Sequence, residues 1–236
     1  MKRDKIFVDA ISERKPFVFD EKVADVFADM IHRSVPGYEM SLSMIALIAR
    51  RYAQKGSRLY DLGCSLGASS LALVSNHPLT DLHLVAVDNS EPMLLRCAEN
   101  LEKAGLECEW DLRCEDILDT VIKNASVVIL NFTLQFIPLD NRLELLRRIY
   151  EGLLPGGVLL VSEKVAFDEP EIQKSMTELY EDFKRAHGYS ELEISRKRTA
   201  LEDVLIPETI EAHKSRFEAA GFAHSARWFQ CFNFAS

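Results

Sequence analysis

One stretch limits the possible folds of this chain more than any other. Leu59-Tyr60-Asp61-Leu62-Gly63-Cys64-Ser65-Leu66-Gly67 is an apolar run that ends in an acid and then turns through two glycines. Ala68-Ser69-Ser70-Leu71-Ala72-Leu73 follows at once and reads as the start of a helix. Strand, glycine loop and helix in that order form a nucleotide-binding α/β unit. Glycine has no Cβ, so Gly63 and Gly67 let the backbone pass close to a ligand. The helix behind them points unpaired N–H groups at whatever the loop holds. The spacing is G-x-x-x-G, with Ser65 where the dinucleotide fingerprint G-x-G-x-x-G often has its middle glycine. The loop alone also fits an ordinary strand-to-helix turn, so its neighbours decide.

Those neighbours alternate. Strands are predicted at Arg58–Asp61, Leu82–Asp88, Cys108–Arg113, Ser126–Leu130 and Val158–Glu163. Helices fall between them at Ala68–Val74, Glu91–Ala104 (capped by Ser90) and Asp140–Leu153, the last stopped by a Pro155-Gly156-Gly157 turn. The alternation implies an α/β fold, a doubly wound, mostly parallel sheet with helices on both faces. Ahead of it, residues 1–16 read as a mobile polar arm. Asp20 caps a helix running to Ser34, and a second helix covers about Ser41–Ala53. After Lys164 the alternation stops. Helices are expected at Asp168–His187 and, behind a Ser190/Glu193 capping box, at Ser190–Leu205. A helix at Pro207–Ala220 and a strand over Ser225–Phe234 close the chain. The organisation is an arm and helical cap (1–56), an α/β core (57–165), a helical lid or dimer insertion (166–205), and a final helix and strand of the core (206–236).

Composition narrows the function. The net charge of −9 argues against a protein whose main task is gripping nucleic acid. No apolar run reaches the roughly 18–20 residues that span a bilayer, and the polar start lacks a signal-peptide core. The five cysteines are odd in number and form no C-x-x-C pair. This suits a reducing cytoplasm and argues against a zinc site.

Ligands of such sheets sit beyond the carboxyl ends of the strands. Asp88 ends strand two and is placed to accept hydrogen bonds from ribose hydroxyls, with Asn89 beside it as an amide donor. Asp116 follows strand three. Its carboxylate can accept from an exocyclic adenine amine, with Ile117 against the ring; a loop acid with an apolar anchor explains the pair equally well. Asn131 marks the exit of strand four. The histidines are scattered, and none stands out as a base.

A glycine loop with acids and an amide after strands two, three and four resembles the class I S-adenosylmethionine-dependent methyltransferase (Rossmann-like) fold. Six segments narrow the likeness: Phe19-Asp20-Glu21, Ser34-Val35-Pro36-Gly37-Tyr38, Asp61–Gly67, Asn131–Phe136, Gly188–Ser195 and Trp228–Phe234. From about residue 17 onward the chain resembles the carboxy-S-adenosyl-L-methionine synthase family. The resemblance implies that S-adenosyl-L-methionine and prephenate become carboxy-S-adenosyl-L-methionine and phenylpyruvate. The product would supply the carboxymethyl donor for 5-carboxymethoxyuridine at the tRNA wobble position.

The resemblance also implies a cytoplasmic homodimer that needs no metal and binds no nucleic acid directly. Tyr38 would reach the ligand from the cap. Gly63, Cys64 and Ser65 would line the methionine moiety, Asp88 and Asn89 the ribose, and Asp116 and Ile117 the adenine. Asn131 would lie at the reacting end. Arg198, from the partner subunit, would grip the transferred carboxylate; as a bare sequence, Arg196-Lys197-Arg198 is a solvated helix face. In the family a further strand follows the Trp228–Phe234 segment. The sequence here stops at Ser236, so a truncated sheet edge is expected. Two rival readings use the same crevice: a conventional methyltransferase acting on a small molecule or tRNA, and a non-catalytic S-adenosylmethionine-binding module.

Overall fold

The computed structural model describes residues 2–7, 17–202 and 204–236. Its centre is a set of strands buried on both faces. β1 (Arg58–Leu62) alternates its side chains between two cores. Leu59 faces Ile45, Ala49, Leu73, Leu84 and Leu101 on one side. Tyr60 faces Leu145, Leu146 and Ile149 on the other. β4 (Ala125–Asn131) is buried from Ala125 through Leu130 and turns half-buried only at Asn131. Near-continuous apolar strands of this kind need helices on both sides of the sheet. α2 (Tyr38–Tyr52), α3 (Ala68–Val74) and α4 (Glu91–Ala104) cover one face; α5 (Leu139–Gly152) and α8 (Ile210–Ala220) cover the other.

β2 (His83–Asp88), β3 (Glu109–Cys114) and β5 (Leu153–Ala166) complete the parallel part. With β7 (Gln230–Cys231) and β8 (Phe234–Ala235) the sheet order is β3-β2-β1-β4-β5-β8-β7. The order reverses between β1 and β4, which opens a crevice beyond their carboxyl ends. Every crevice residue named from the sequence lies on or just after β1, β2, β3 or β4, apart from Tyr38 and Arg198.

Several expectations change. Residues 2–7 do not form a mobile arm, and the rest of that segment, Met1 and residues 8–16, lies outside the described residues. Asp4 is 1% exposed. Its carboxylate accepts from Tyr189 Oη at 2.6 Å, and its own N–H donates to Asp29 at 2.7 Å. α1 (Glu21–Ser34) starts at the Asp20 cap as expected. α2 begins at Tyr38 rather than Ser41, because Gly37 takes a left-handed conformation and starts the helix early. The Pro155-Gly156-Gly157 turn is a bulge inside β5: pairing jumps from Ala125↔Leu153 to Val127↔Val158.

α6 (Pro170–Ala186) and α7 (Glu191–Leu201) form the helical insertion. The Ser190/Glu193 capping box is present at α7, which ends four residues earlier than expected. Pro207 does not open the next helix. Glu208–Thr209 form a short strand, β6, beside β5, and the Thr209 side chain caps α8 instead. The end of the chain is not one strand with a missing neighbour. Phe232 adopts φ 51° and reverses the backbone, so β7 and β8 form a hairpin. β8 runs antiparallel to β5, and Val165 N donates to Asn233 O at 2.8 Å. β8 is two residues long and covers only Glu163 and Lys164 of β5.

Candidate active site

The glycine loop is fixed by its neighbour strand. Gly63 N and Cys64 N both donate to Val87 O, at 2.8 and 2.9 Å, and Gly67 N closes the turn on Cys64 O. Gly63, Ser65 and Gly67 have φ of 84°, 49° and 83°. Gly63 has a second reason to be glycine: a Cβ there would lie 2.4 Å from Thr133 Cγ2, on the loop leaving β4. Ser65 is the unusual member, a side-chain-bearing residue in the left-handed region. Such strain persists where surrounding bonds enforce it. Here the Ser65 N–H donates to Asp88 Oδ2 at 2.8 Å.

Asp88 therefore ties the loop to the next helix. Its Oδ1 accepts from Ser90 N at 2.9 Å, and Ser90 in turn caps α4. Burial raises the Asp88 pKa, and the backbone N–H groups oppose that rise. Each oxygen keeps a lone pair free of these bonds. Asn89 beside it is exposed.

Asp61 was visible in the sequence as the acid before the glycines but was not assigned a role. It is fully buried at the end of β1. Ser70 Oγ donates to its Oδ2 at 2.6 Å, while its Oδ1 has no partner. Burial pushes its pKa up to about 7, with the Ser70 bond pulling the other way. Asn131 repeats the pattern one strand away. Its Nδ2 donates to Ser69 Oγ at 2.8 Å, and its Oδ1 is buried and unpaired. Ser69 and Ser70 open α3, so one helix start positions both groups. Two buried, unpaired acceptors cost free energy until a donor reaches them. A ligand ammonium, with three N–H groups, fits that need.

Tyr38 closes this end of the crevice. Its ring centre is 6.3 Å from that of Phe132. Burial pushes its phenol pKa up, and the field of Asp61 adds to the rise. Cys64 is buried; contact with Cys97, then burial, raises its pKa, so it stays a neutral thiol rather than a nucleophile.

The other named residues stand apart. Asp116 is exposed, and its Oδ1 accepts from Leu118 N at 2.9 Å within its own loop. The Ile117 side chain is 6% exposed and joins the core of Tyr60 and Leu145. Arg198 is on α7, with its side chain 65% exposed and paired to Glu181 at 3.1 Å. The structure thus brings together Tyr38, Asp61, Gly63, Cys64, Ser65, Asp88 and Asn131, and does not bring Arg198 to them within one chain. Among the described residues, no group of three or more His, Cys, Asp or Glu could hold a metal ion. Among the described residues, no helix is long and apolar enough to cross a membrane.

Comparison with known proteins agrees with this architecture. A methyltransferase domain family model matches residues 59–157. An O-methyltransferase family protein from Burkholderia thailandensis shares the fold, with a TM-score of 0.63 at 16% identity over 95% of this chain and 63% of that one. Much greater likeness is found to proteins named carboxy-S-adenosyl-L-methionine synthase. The one from Trichlorobacter lovleyi is 54% identical, covering 100% of this chain and 97% of its own length. The one from Geobacter metallireducens is 55% identical with the same coverage. With more than half of its residues shared along its whole length, the chain belongs to the carboxy-S-adenosyl-L-methionine synthase family.

Proposed function

We propose that the protein converts S-adenosyl-L-methionine and prephenate into carboxy-S-adenosyl-L-methionine and phenylpyruvate. The product would serve as the carboxymethyl donor for 5-carboxymethoxyuridine at the tRNA wobble position. The observation that carries this reading is the full-length identity to proteins of that name. The atoms balance without a further co-reactant. Carbon dioxide lost by prephenate joins the methyl carbon, and the methyl proton leaves as water with the ring's hydroxide. The sulfonium of S-adenosyl-L-methionine is what makes that methyl acidic enough to react.

The chain's own residues hold and shield the reactants. Asp61 offers its unpaired oxygen to the ammonium, and Asn131 lies at the reacting end. Gly63, Cys64 and Ser65 line the methionine moiety. Asp88 and Asn89 take the ribose hydroxyls, and Asp116 and Ile117 flank the adenine. Arg198 supplies a planar pair of donors for the new carboxylate. Its exposure on α7 suits a role in a partner's site within a cytoplasmic homodimer. Residues 166–205 act as the lid that keeps water from the reactive carbon.

The test is to release the ligand from purified protein and weigh it, before and after incubation with prephenate. A mass greater than that of S-adenosyl-L-methionine by one carboxylate is expected. If only S-adenosyl-L-methionine appears and no carboxylated product forms, the reading fails and a conventional methyltransferase takes its place. Arg198→Ala should weaken the carboxylated ligand about tenfold or more and spare S-adenosyl-L-methionine. Equal loss for both would remove Arg198 from the role.

A further inference from the structure

Two lysines meet on one aromatic ring near the crevice, and no step above uses them. β5 carries Lys164 directly after Glu163, and α6 brings Lys184 alongside. Lys184 Nζ lies 4.2 Å and Lys164 Nζ 5.2 Å from the centre of the Tyr180 ring. Lys184 is 5% exposed. The ring face attracts both cations, but it leaves their N–H donors without an acceptor. Among the described residues, neither ammonium has a hydrogen-bond acceptor or a carboxylate at ion-pair distance. Glu181 is the carboxylate whose field reaches both. It is committed elsewhere, 3.4 Å from Arg185 and 3.1 Å from Arg198. Burial draws Lys184 down to about 8, the charge of Lys164 adds to the fall, and Lys164 is itself lowered by burial. With no acceptor among the described residues, both ammonium groups are left to solvent beside one ring, where an anion can reach them and is favoured by two like charges.

Aromatic rings connect this pair to the crevice. Tyr38 is followed by Phe132 at 6.3 Å, Phe132 by Phe234 at 5.9 Å, and Phe234 by Tyr180 at 5.0 Å. Phe132 adjoins Asn131, at the reacting end, and Tyr180 carries the lysines. A ligand that spans this path needs a flat, apolar body and an anionic end. S-adenosyl-L-methionine offers no such end away from its own methionine carboxylate. A cyclic acid with two carboxylates does: one is given up at the methyl group, and the other must be held at a distance.

We infer that Lys164 and Lys184 bind the carboxylate that the organic-acid substrate keeps. This rests on the synthase reading above. Each lysine contributes a charge-assisted hydrogen bond, worth about tenfold or more in affinity.

The test varies prephenate at saturating S-adenosyl-L-methionine, with the carboxylated product measured by mass spectrometry. Lys164→Met and Lys184→Met should each raise KM for prephenate about tenfold or more. The Kd for S-adenosyl-L-methionine, measured by calorimetry, should stay within about twofold, and Lys184→Arg should recover most of the loss. Wild-type KM in both variants, or parallel loss of prephenate and S-adenosyl-L-methionine affinity, overturns the proposal. Lys164 is half-buried, so Lys164→Met carries the test if Lys184→Met does not fold. A wild-type protein that makes no carboxylated product overturns the synthase reading instead. Calorimetry with phenylpyruvate on the S-adenosyl-L-methionine-loaded wild type and variants then decides the lysine site: weaker binding to the variants supports it, and equal binding overturns it.

Discussion

Replacing Asp88 by Asn separates the two tasks assigned to that side chain. The carboxylate has two oxygens, and each accepts one backbone N–H, from Ser90 and from Ser65. An amide of the same shape has one oxygen and one NH2. One buried N–H is therefore left facing a donor, at a cost of about 2 kcal/mol. The entropy of unfolding scales with length, so for 236 residues each kcal/mol moves Tm by about 2 °C. The ligand-free variant should melt about 4 °C below wild type. At a S-adenosyl-L-methionine concentration 100 times the wild-type Kd, the wild type should gain about 2.7 kcal/mol, or about 5 °C. Losing a hydrogen bond between the ribose and a charged acceptor raises Kd at least tenfold. The same ligand concentration then gives the variant less than about 3 °C. Both quantities come from one thermal-shift titration. An unchanged Tm without ligand refutes the anchoring of the glycine loop. An unchanged ligand-induced shift refutes the ribose contact.

Gly63→Ala should cost more than about 2 kcal/mol, from a left-handed φ that a Cβ disfavours and from the clash with Thr133. Adding Thr133→Ala should return the steric share and leave the backbone share, as read by urea denaturation. Asp61 carries a pH dependence. Its folded pKa is raised to about 7, so the folded state holds a proton that the unfolded chain has lost. Its contribution to stability is present below about pH 4 and disappears as the pH rises through 7. An ammonium bound at its free oxygen reverses the preference. S-adenosyl-L-methionine should then release a proton below pH 7 and bind more tightly as pH rises from 5.5 to about 7.5. Calorimetry in two buffers of different ionisation enthalpy checks this, and Asp61→Asn should abolish it. Glu208→Gln should destabilise by about 3 kcal/mol, because Arg142, 0% exposed, would lose its carboxylate while remaining buried. A denaturation midpoint equal to wild type would contradict that.

The alternation of strands and helices was legible because each core strand is apolar on both faces and each following helix carries its own stop signal. Ser90, Asp20 and the Ser190/Glu193 box are local signals, and they sit where expected. What went astray depended on partners distant in sequence. Residues 2–7 read as a loose arm because the contacts that tie Asp4 to the fold are distant; Asp29 and Tyr189 lie 25 and 185 positions away. Pro207 looked like a helix start, but Glu208 is held against the buried Arg142 and against Arg216, and Thr209 takes the cap. The terminal hairpin turns at Phe232, a residue with no intrinsic preference for positive φ.

The site divides in the same way. Gly63, Asp88 and Asn131 could be named because a crevice forms at the carboxyl ends of parallel strands, and strand ends can be found by pattern. Asp61 escaped because its sequence context, an acid ending an apolar run, says nothing about pairing. Only its unpaired oxygen in the fold separates it from a structural acid. Lys164 and Lys184 were invisible for a stronger reason. Lysine at positions 164 and 184 is the commonest sort of surface residue until the fold brings both side chains to the Tyr180 ring. A periodic pattern reports which face of an element is buried. It cannot report that two cations from different elements meet at one aromatic ring. That pairing of cations is a property of the assembled fold.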